Sequence, residues 1–130
     1  DQEVDDERKA IDSIMTKLRT LVQELNIGLF LVSHLKRPSG KAHEDGGQIS
    51  LAELRGSAAI AQLSDIVLGL ERNQQHEDKN IRHTTTVRVL KNRFTGLTGP
   101  ACYLFYDQDT GRMSSVLSPE SGGANQDDGF

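Results

Sequence analysis

The stretch Ile27-Gly28-Leu29-Phe30-Leu31-Val32-Ser33-His34 decides how the chain is read. A strand with one wet face alternates apolar and polar residues, so a short unbroken apolar run is the pattern of a strand covered on both faces. Immediately before it, Ala10, Ile11, Ile14, Met15, Leu18, Leu21, Val22 and Leu25 recur at helical spacing and predict an amphipathic helix from Asp6 onward. Acidic residues at its start suit the positive end of the helix dipole, and Asn26 followed by Gly28 lets the chain turn out of it. A helix feeding a doubly covered strand predicts an α/β fold with a parallel sheet. Such sheets bind ligands at the carboxyl ends of their strands, which is where His34 falls.

Working outward, residues 34–50 contain Pro38, Gly40, Gly46 and Gly47 and predict a long loop, of the kind that carries function in compact domains. A second helix is expected after Ser50, with Leu51, Leu54, Ala58, Ala59, Ile60 and Leu63 inward and a break or bend at Gly56. Residues 66–70 repeat the buried-strand pattern, and 73–80 read as a surface loop. Residues 84–91 and 101–106 alternate, with Gly96 and Gly99 between them, and predict a hairpin. Asp107-Gln108-Asp109-Thr110-Gly111 is a turn into a last short strand at 112–117. The division expected is a folded part, residues 1–117, and a flexible acidic tail, residues 118–130.

The composition excludes several classes. In 130 residues no apolar run approaches a membrane span, and no charged-apolar-small leader opens the chain, so a soluble cytoplasmic protein is expected. Cys102 is the only cysteine, which leaves no internal disulfide and no cysteine-built zinc site. The net charge of −4 is unevenly spread: Asp1, Glu3, Asp5, Asp6 and Glu7 open the chain and Glu120, Asp127 and Asp128 close it. Residues 8–117 hold 15 bases against 11 acids, so the presumed folded part is able to face a polyanion.

Two clusters carry possible chemistry. After His34 the loop brings Lys36, Arg37 and Lys41, cations that either decorate a surface or grip the phosphates of a nucleic acid. At the end of the predicted hairpin strand, Lys91 and Arg93 are two residues apart and so share a face. They are either solvated strand-end charges or a clamp for a transferring phosphoryl group. Spacing leaves both open.

Five runs in one order make the chain resemble a known family. They are Val32-Ser33-His34-Leu35-Lys36, Ser50-Leu51-Ala52-Glu53-Leu54-Arg55-Gly56-Ser57, Gln62-Leu63-Ser64-Asp65, Leu70-Glu71-Arg72-Asn73-Gln74-Gln75 and Lys91-Asn92-Arg93-Phe94-Thr95-Gly96. Together they resemble the C-terminal helicase domain of DnaB-type hexameric replicative DNA helicases, most of all the primase-helicases of T-odd bacteriophages. The resemblance implies a partial RecA-like (P-loop NTPase) core with a C-terminal β-hairpin region and a disordered acidic tail. It implies a homo-oligomeric ring, a hexamer, that uses ATP or dTTP with Mg2+ to move 5′ to 3′ along single-stranded DNA. Carried over position by position, His34 resembles the residue that senses the γ-phosphate. Arg93, with Lys91 beside it, resembles the arginine finger reaching the adjacent subunit's site. Arg72 and Tyr106 match positions that pack about the nucleotide base. Lys36, Arg37, Lys41, Arg55 and Gly56 fall in or beside loops that face DNA. In the phage relatives an acidic tail ending in an aromatic residue contacts the replicative DNA polymerase, and Asp127, Asp128 and Phe130 have that character here.

The sequence holds no GxxxxGK[ST] phosphate loop, and no apolar strand ending in Asp precedes the first helix. The expectation is therefore the C-terminal half of a helicase core, inactive alone, with its 27–33 and 66–70 strands either unpaired along the edges where the phosphate-loop and magnesium-site strands belong or collapsed together, and apolar surface uncovered. Two other readings stay open: another RecA-type ATPase, or a non-catalytic module that binds single-stranded DNA or interacts with a ring.

Overall fold

The computed structural model describes residues 2–36, 40–54 and 58–122. Helix α1, Gln2–Leu25, opens four residues earlier than the periodicity suggests. Asn26 takes a left-handed φ of 50°, which an asparagine tolerates better than most residues, and this turns the chain out of the helix. Only one side of the apolar stripe is covered. Met15 is buried, whereas Ile14, Leu21 and Leu25 remain exposed.

Residues 27–34 run extended but join no ladder, and Phe30 is 97% and Val32 93% exposed. The first pairing beyond them is an isolated antiparallel bridge between Leu35 and Leu54. Two 3-10 turns follow, His43–Asp45 and Leu51–Glu53, and then the short helix α2, Ala58–Leu63. The expected second helix is thus divided on either side of residues 55–57.

The sheet is a four-stranded antiparallel meander in the order β1 (Ile66–Glu71), β2 (Thr84–Asn92), β3 (Gly99–Asp107) and β4 (Arg112–Val116). The predicted hairpin is β2 and β3, in a register that sets Thr84 opposite Phe105. Its turn is built by Asn92, whose Oδ1 accepts the N–H groups of Phe94 at 3.1 Å and Thr95 at 3.3 Å. Gly96 at φ 72° and Gly99 at φ 120° complete it. The turn before β4 lies where expected, with Gly111 at φ 70° and its N–H on Asp107 O at 2.7 Å. The helix α3, Lys79–Arg82, falls in the connection before β2 and was not anticipated.

The expected parallel sheet is corrected on one point: no parallel pair occurs among the described residues. Parallel neighbours need a long crossover between them, and β2, β3 and β4 follow one another through turns too short for one. The two apolar segments that a parallel sheet would use lack neighbours. Residues 27–34 are unpaired, and β1 has a strand on one side only, with Ile66, Leu68 and Leu70 exposed. The edges stand open where the sequence reading places them. A groove of about 490 Å3 runs between α1 at Met15 and Val22, residues 27–31 and β1 at Ile66 and Leu68.

Candidate functional site

Two small polar assemblies stand at opposite ends of β2. At its carboxyl end, Lys91 extends Nζ to the carbonyls of Ala61 at 2.7 Å and Gln62 at 3.1 Å, the last turn of α2. Arg93, just past the strand, donates Nη1 to Asp65 Oδ1 at 2.7 Å and Nη2 to Gln62 O at 3.2 Å. Its backbone N–H reaches Asp65 O at 2.9 Å. The structure therefore brings the two cations together on one stretch of backbone, residues 61–65. Asp65 takes a second arginine from α1, Arg19 Nη1 on Oδ2 at 2.9 Å. The Arg19 hydrogen bond, with the charges of Arg19, Arg93 and Lys91 behind it, holds the Asp65 carboxyl below its usual range against a smaller opposing effect of burial. Of the five N–H donors of a guanidinium, two are spent on Asp65 and Gln62 among the described residues.

At the other end of β2, Arg72 donates Nε to Arg82 O at 2.7 Å and places Nη2 3.2 Å from His83 Nδ1. The Tyr106 N–H donates to His83 O at 2.9 Å. Arg72 and Tyr106 are thus fixed to the same two residues, 82 and 83, while the Tyr106 side stays open to solvent at 37% exposure. His83 is buried, and burial first, then the charges of Arg72, Arg82 and Lys79, lowers its pKa below the usual histidine value. This His83 is a residue that the sequence reading passed over; a histidine directly before a β-rich run was its only signal.

His34 stands exposed at the end of the 27–34 segment, where Ser33 Oγ donates to its carbonyl at 3.3 Å. Lys36 has its backbone N–H on Glu53 O at 2.9 Å and an exposed side chain on the wall of a groove of about 900 Å3, which also runs past Ala61 and Gln62. Lys41 is exposed on a loop closed by the Gly47 N–H on Ala42 O at 2.9 Å. That loop is anchored to the sheet by Glu71, whose Oε2 accepts the Ile49 N–H at 2.6 Å and Arg88 Nε at 2.9 Å. Arg37, Arg55, Gly56, Asp127, Asp128 and Phe130 lie outside the described residues. Among the described residues no group of three His, Cys, Asp or Glu side chains is placed to hold a metal ion. No helix among the described residues is long and apolar enough to cross a membrane.

The described residues thus set a pair of cations at the hairpin end and tie Arg72 and Tyr106 to residues 82 and 83 at the other end of β2. Comparison with known proteins gives the family. The model of the DnaB-like helicase C-terminal domain matches residues 1–115, and the chain belongs to that family. It is 46% identical over 127 residues, 97% of its length, to a DNA helicase/primase of Enterobacteria phage T3. It is 29% identical over 118 residues to a chloroplastic/mitochondrial Twinkle homolog of Arabidopsis thaliana, and 33% identical over 87 residues to the replicative DNA helicase DnaB of Treponema pallidum. The matches cover 87% and 67% of the chain. The chain spans only 22%, 16% and 17% of the length of these three relatives.

Proposed function

We propose that the chain is the C-terminal part of a replicative DNA helicase of the phage primase-helicase kind, residues 1–117 folding as half of a RecA-like domain. The tail expected from residue 118 starts later, since the turn Pro119–Ser121 and Gly122 pack on β2 and β3, and the residues beyond 122 serve as the tail. The whole protein forms a ring, a hexamer, that couples hydrolysis of ATP or dTTP with Mg2+ to 5′–3′ movement along single-stranded DNA, in the cytoplasm of its host cell. The observation that carries this is the arrangement of Arg93 and Lys91. Both are anchored on residues 61–65, and the Arg93 side chain remains 41% exposed. A forked cation at a hairpin end suits an oxyanion that arrives from outside the chain, here the γ-phosphate on a neighbouring subunit.

The remaining roles follow the same division. His34 senses the γ-phosphate, Arg72 and Tyr106 seat the nucleotide base, and Lys36, Arg37, Lys41, Arg55 and Gly56 meet DNA. Asp127, Asp128 and Phe130 meet the polymerase. The phosphate cradle and metal ligands lie on other parts of the polypeptide, so this chain alone neither hydrolyses nucleotide nor unwinds DNA. In the full-length protein, Arg93→Ala is expected to cost ~10³-fold or more in DNA-stimulated hydrolysis while nucleotide binding persists. Unchanged turnover overturns the reading.

A further inference from the structure

Arg93 is held by a residue to which no role has yet been given. Asp65 sits between α2 and β1 and grips Arg93 twice, through Oδ1 on Nη1 at 2.7 Å and through its own carbonyl on the Arg93 N–H at 2.9 Å. Its other oxygen holds Arg19 of α1 at 2.9 Å. An arginine at a hairpin end has many rotamers, and an oxyanion arriving from a neighbour captures only the fraction aimed at it. Holding Nη1 on Asp65 and Nη2 on Gln62 removes that search, and the side chain as a whole is 41% exposed.

We infer that Asp65 is the positioning residue for Arg93, the aspartate that aims the guanidinium across the subunit boundary. Arg19 in turn keeps the Asp65 carboxylate from rotating away. The inference rests on Arg93 acting on a neighbour's nucleotide, and it adds that the finger is aimed from within its own chain before any neighbour is met. A merely structural Asp65 ties α1 to the start of β1; a positioning Asp65 acts on catalysis through Arg93 alone. The two differ in what happens once Arg93 is gone.

The test uses the full-length protein with saturating single-stranded DNA and a range of nucleotide concentrations, measuring kcat and KM for Asp65→Asn, Arg93→Ala and the pair. Asp65→Asn is expected to lower kcat by up to ~10²-fold with KM unchanged, since misplacing a catalytic group by about an ångström costs on this scale. In the Arg93→Ala background it is expected to lower kcat no further, because residues that act as a unit are not additive. Arg19→Gln, which leaves the Oδ1 contact in place, is expected to cost less than Asp65→Asn. If Arg93→Ala is impaired and Asp65→Asn turns over normally, or if the two losses multiply, the inference is overturned. If Arg93→Ala itself is silent, it is the finger reading that fails. Should Asp65→Asn not fold, Asp65→Glu keeps the charge, moves it by one methylene and carries the same cycle with the same two readings.

Discussion

The Arg72 guanidinium meets the His83 ring with Nη2 3.2 Å from Nδ1, and this contact requires an unprotonated nitrogen on the histidine. Burial, reinforced by Arg72, Arg82 and Lys79, keeps the ring neutral in the folded protein. An unfolded histidine takes its proton near pH 6.5, whereas the buried one resists it to lower pH. The sign follows directly. Stability from this site is complete above about pH 6.5 and is lost as the pH falls below it, because the open state binds the extra proton.

The first prediction is that acid loosens Arg72 and with it the grip on nucleotide. Between pH 7.5 and pH 5.5 the KM of the full-length protein is expected to rise. Losing one charged hydrogen bond is worth ~1.5–3 kcal/mol, or about 10- to 150-fold in affinity, which bounds the effect. His83→Asn keeps an acceptor near the Nδ1 position without a titrating ring, and its KM is expected to vary less over the same interval. Equal pH profiles for the two proteins dismiss the link.

A second prediction concerns the basic loop. Lys36 and Lys41 are exposed on segments whose backbones are pinned at Glu53 and between Ala42 and Gly47. Each phosphate contact on a single strand contributes about 0.7 to the slope of log affinity against log salt. The double variant Lys36→Ala, Lys41→Ala is therefore expected to flatten that slope by ~1.4, uniformly across DNA sequences. Binding titrations at several salt concentrations measure it, and an unaltered slope removes both lysines from the DNA path.

A third prediction tests the packing behind Tyr106. Gly122 is buried, and a Cβ there would stand 2.5 Å from Phe105 Cδ2 and 3.1 Å from Thr84 Oγ1. The ring has little room to yield, since Phe105 is itself buried, opposite Thr84 in the β2–β3 register. Gly122→Ala is expected to cost ~1–3 kcal/mol, as overpacked sites do. Hydrogen exchange across β3 in the full-length protein registers it as faster opening, and protection equal to the parent refutes the contact.

Much of this was readable in the residues. The hairpin strands alternate, Asn92, Gly96 and Gly111 sit where turn geometry demands them, and the α1 stripe is periodic, so local chemistry and final structure agree. Covered strands were harder to place. The run at 27–33 reads as doubly buried because its residues are apolar, but burial needs neighbours, and none pairs with it here. The site was legible as cations and not as partners. Lys91 and Arg93 are conspicuous two residues apart, whereas Asp65 and His83 acquire meaning only when β1 and β2 pair and bring residues some 28 and 11 positions distant into contact.

The last prediction turns on those open edges. Phe30 and Val32 are almost fully exposed in a run that reads as a strand with two wet-free faces, and Leu68 is half exposed on β1, which has a strand on one edge only among the described residues. Unpaired apolar strands template association with other chains, and a charge on them blunts it. On the 130-residue chain alone, Val32→Lys is expected to reduce self-association, read by light scattering. In the full-length protein the same substitution is expected to do the opposite kind of thing and destabilise by several kcal/mol, because strands supplied by the rest of the polypeptide would bury an unpaired charge there. A lysine tolerated in both contexts means that residue 32 stays on the surface of the whole protein, and the half-domain reading then loses its structural support.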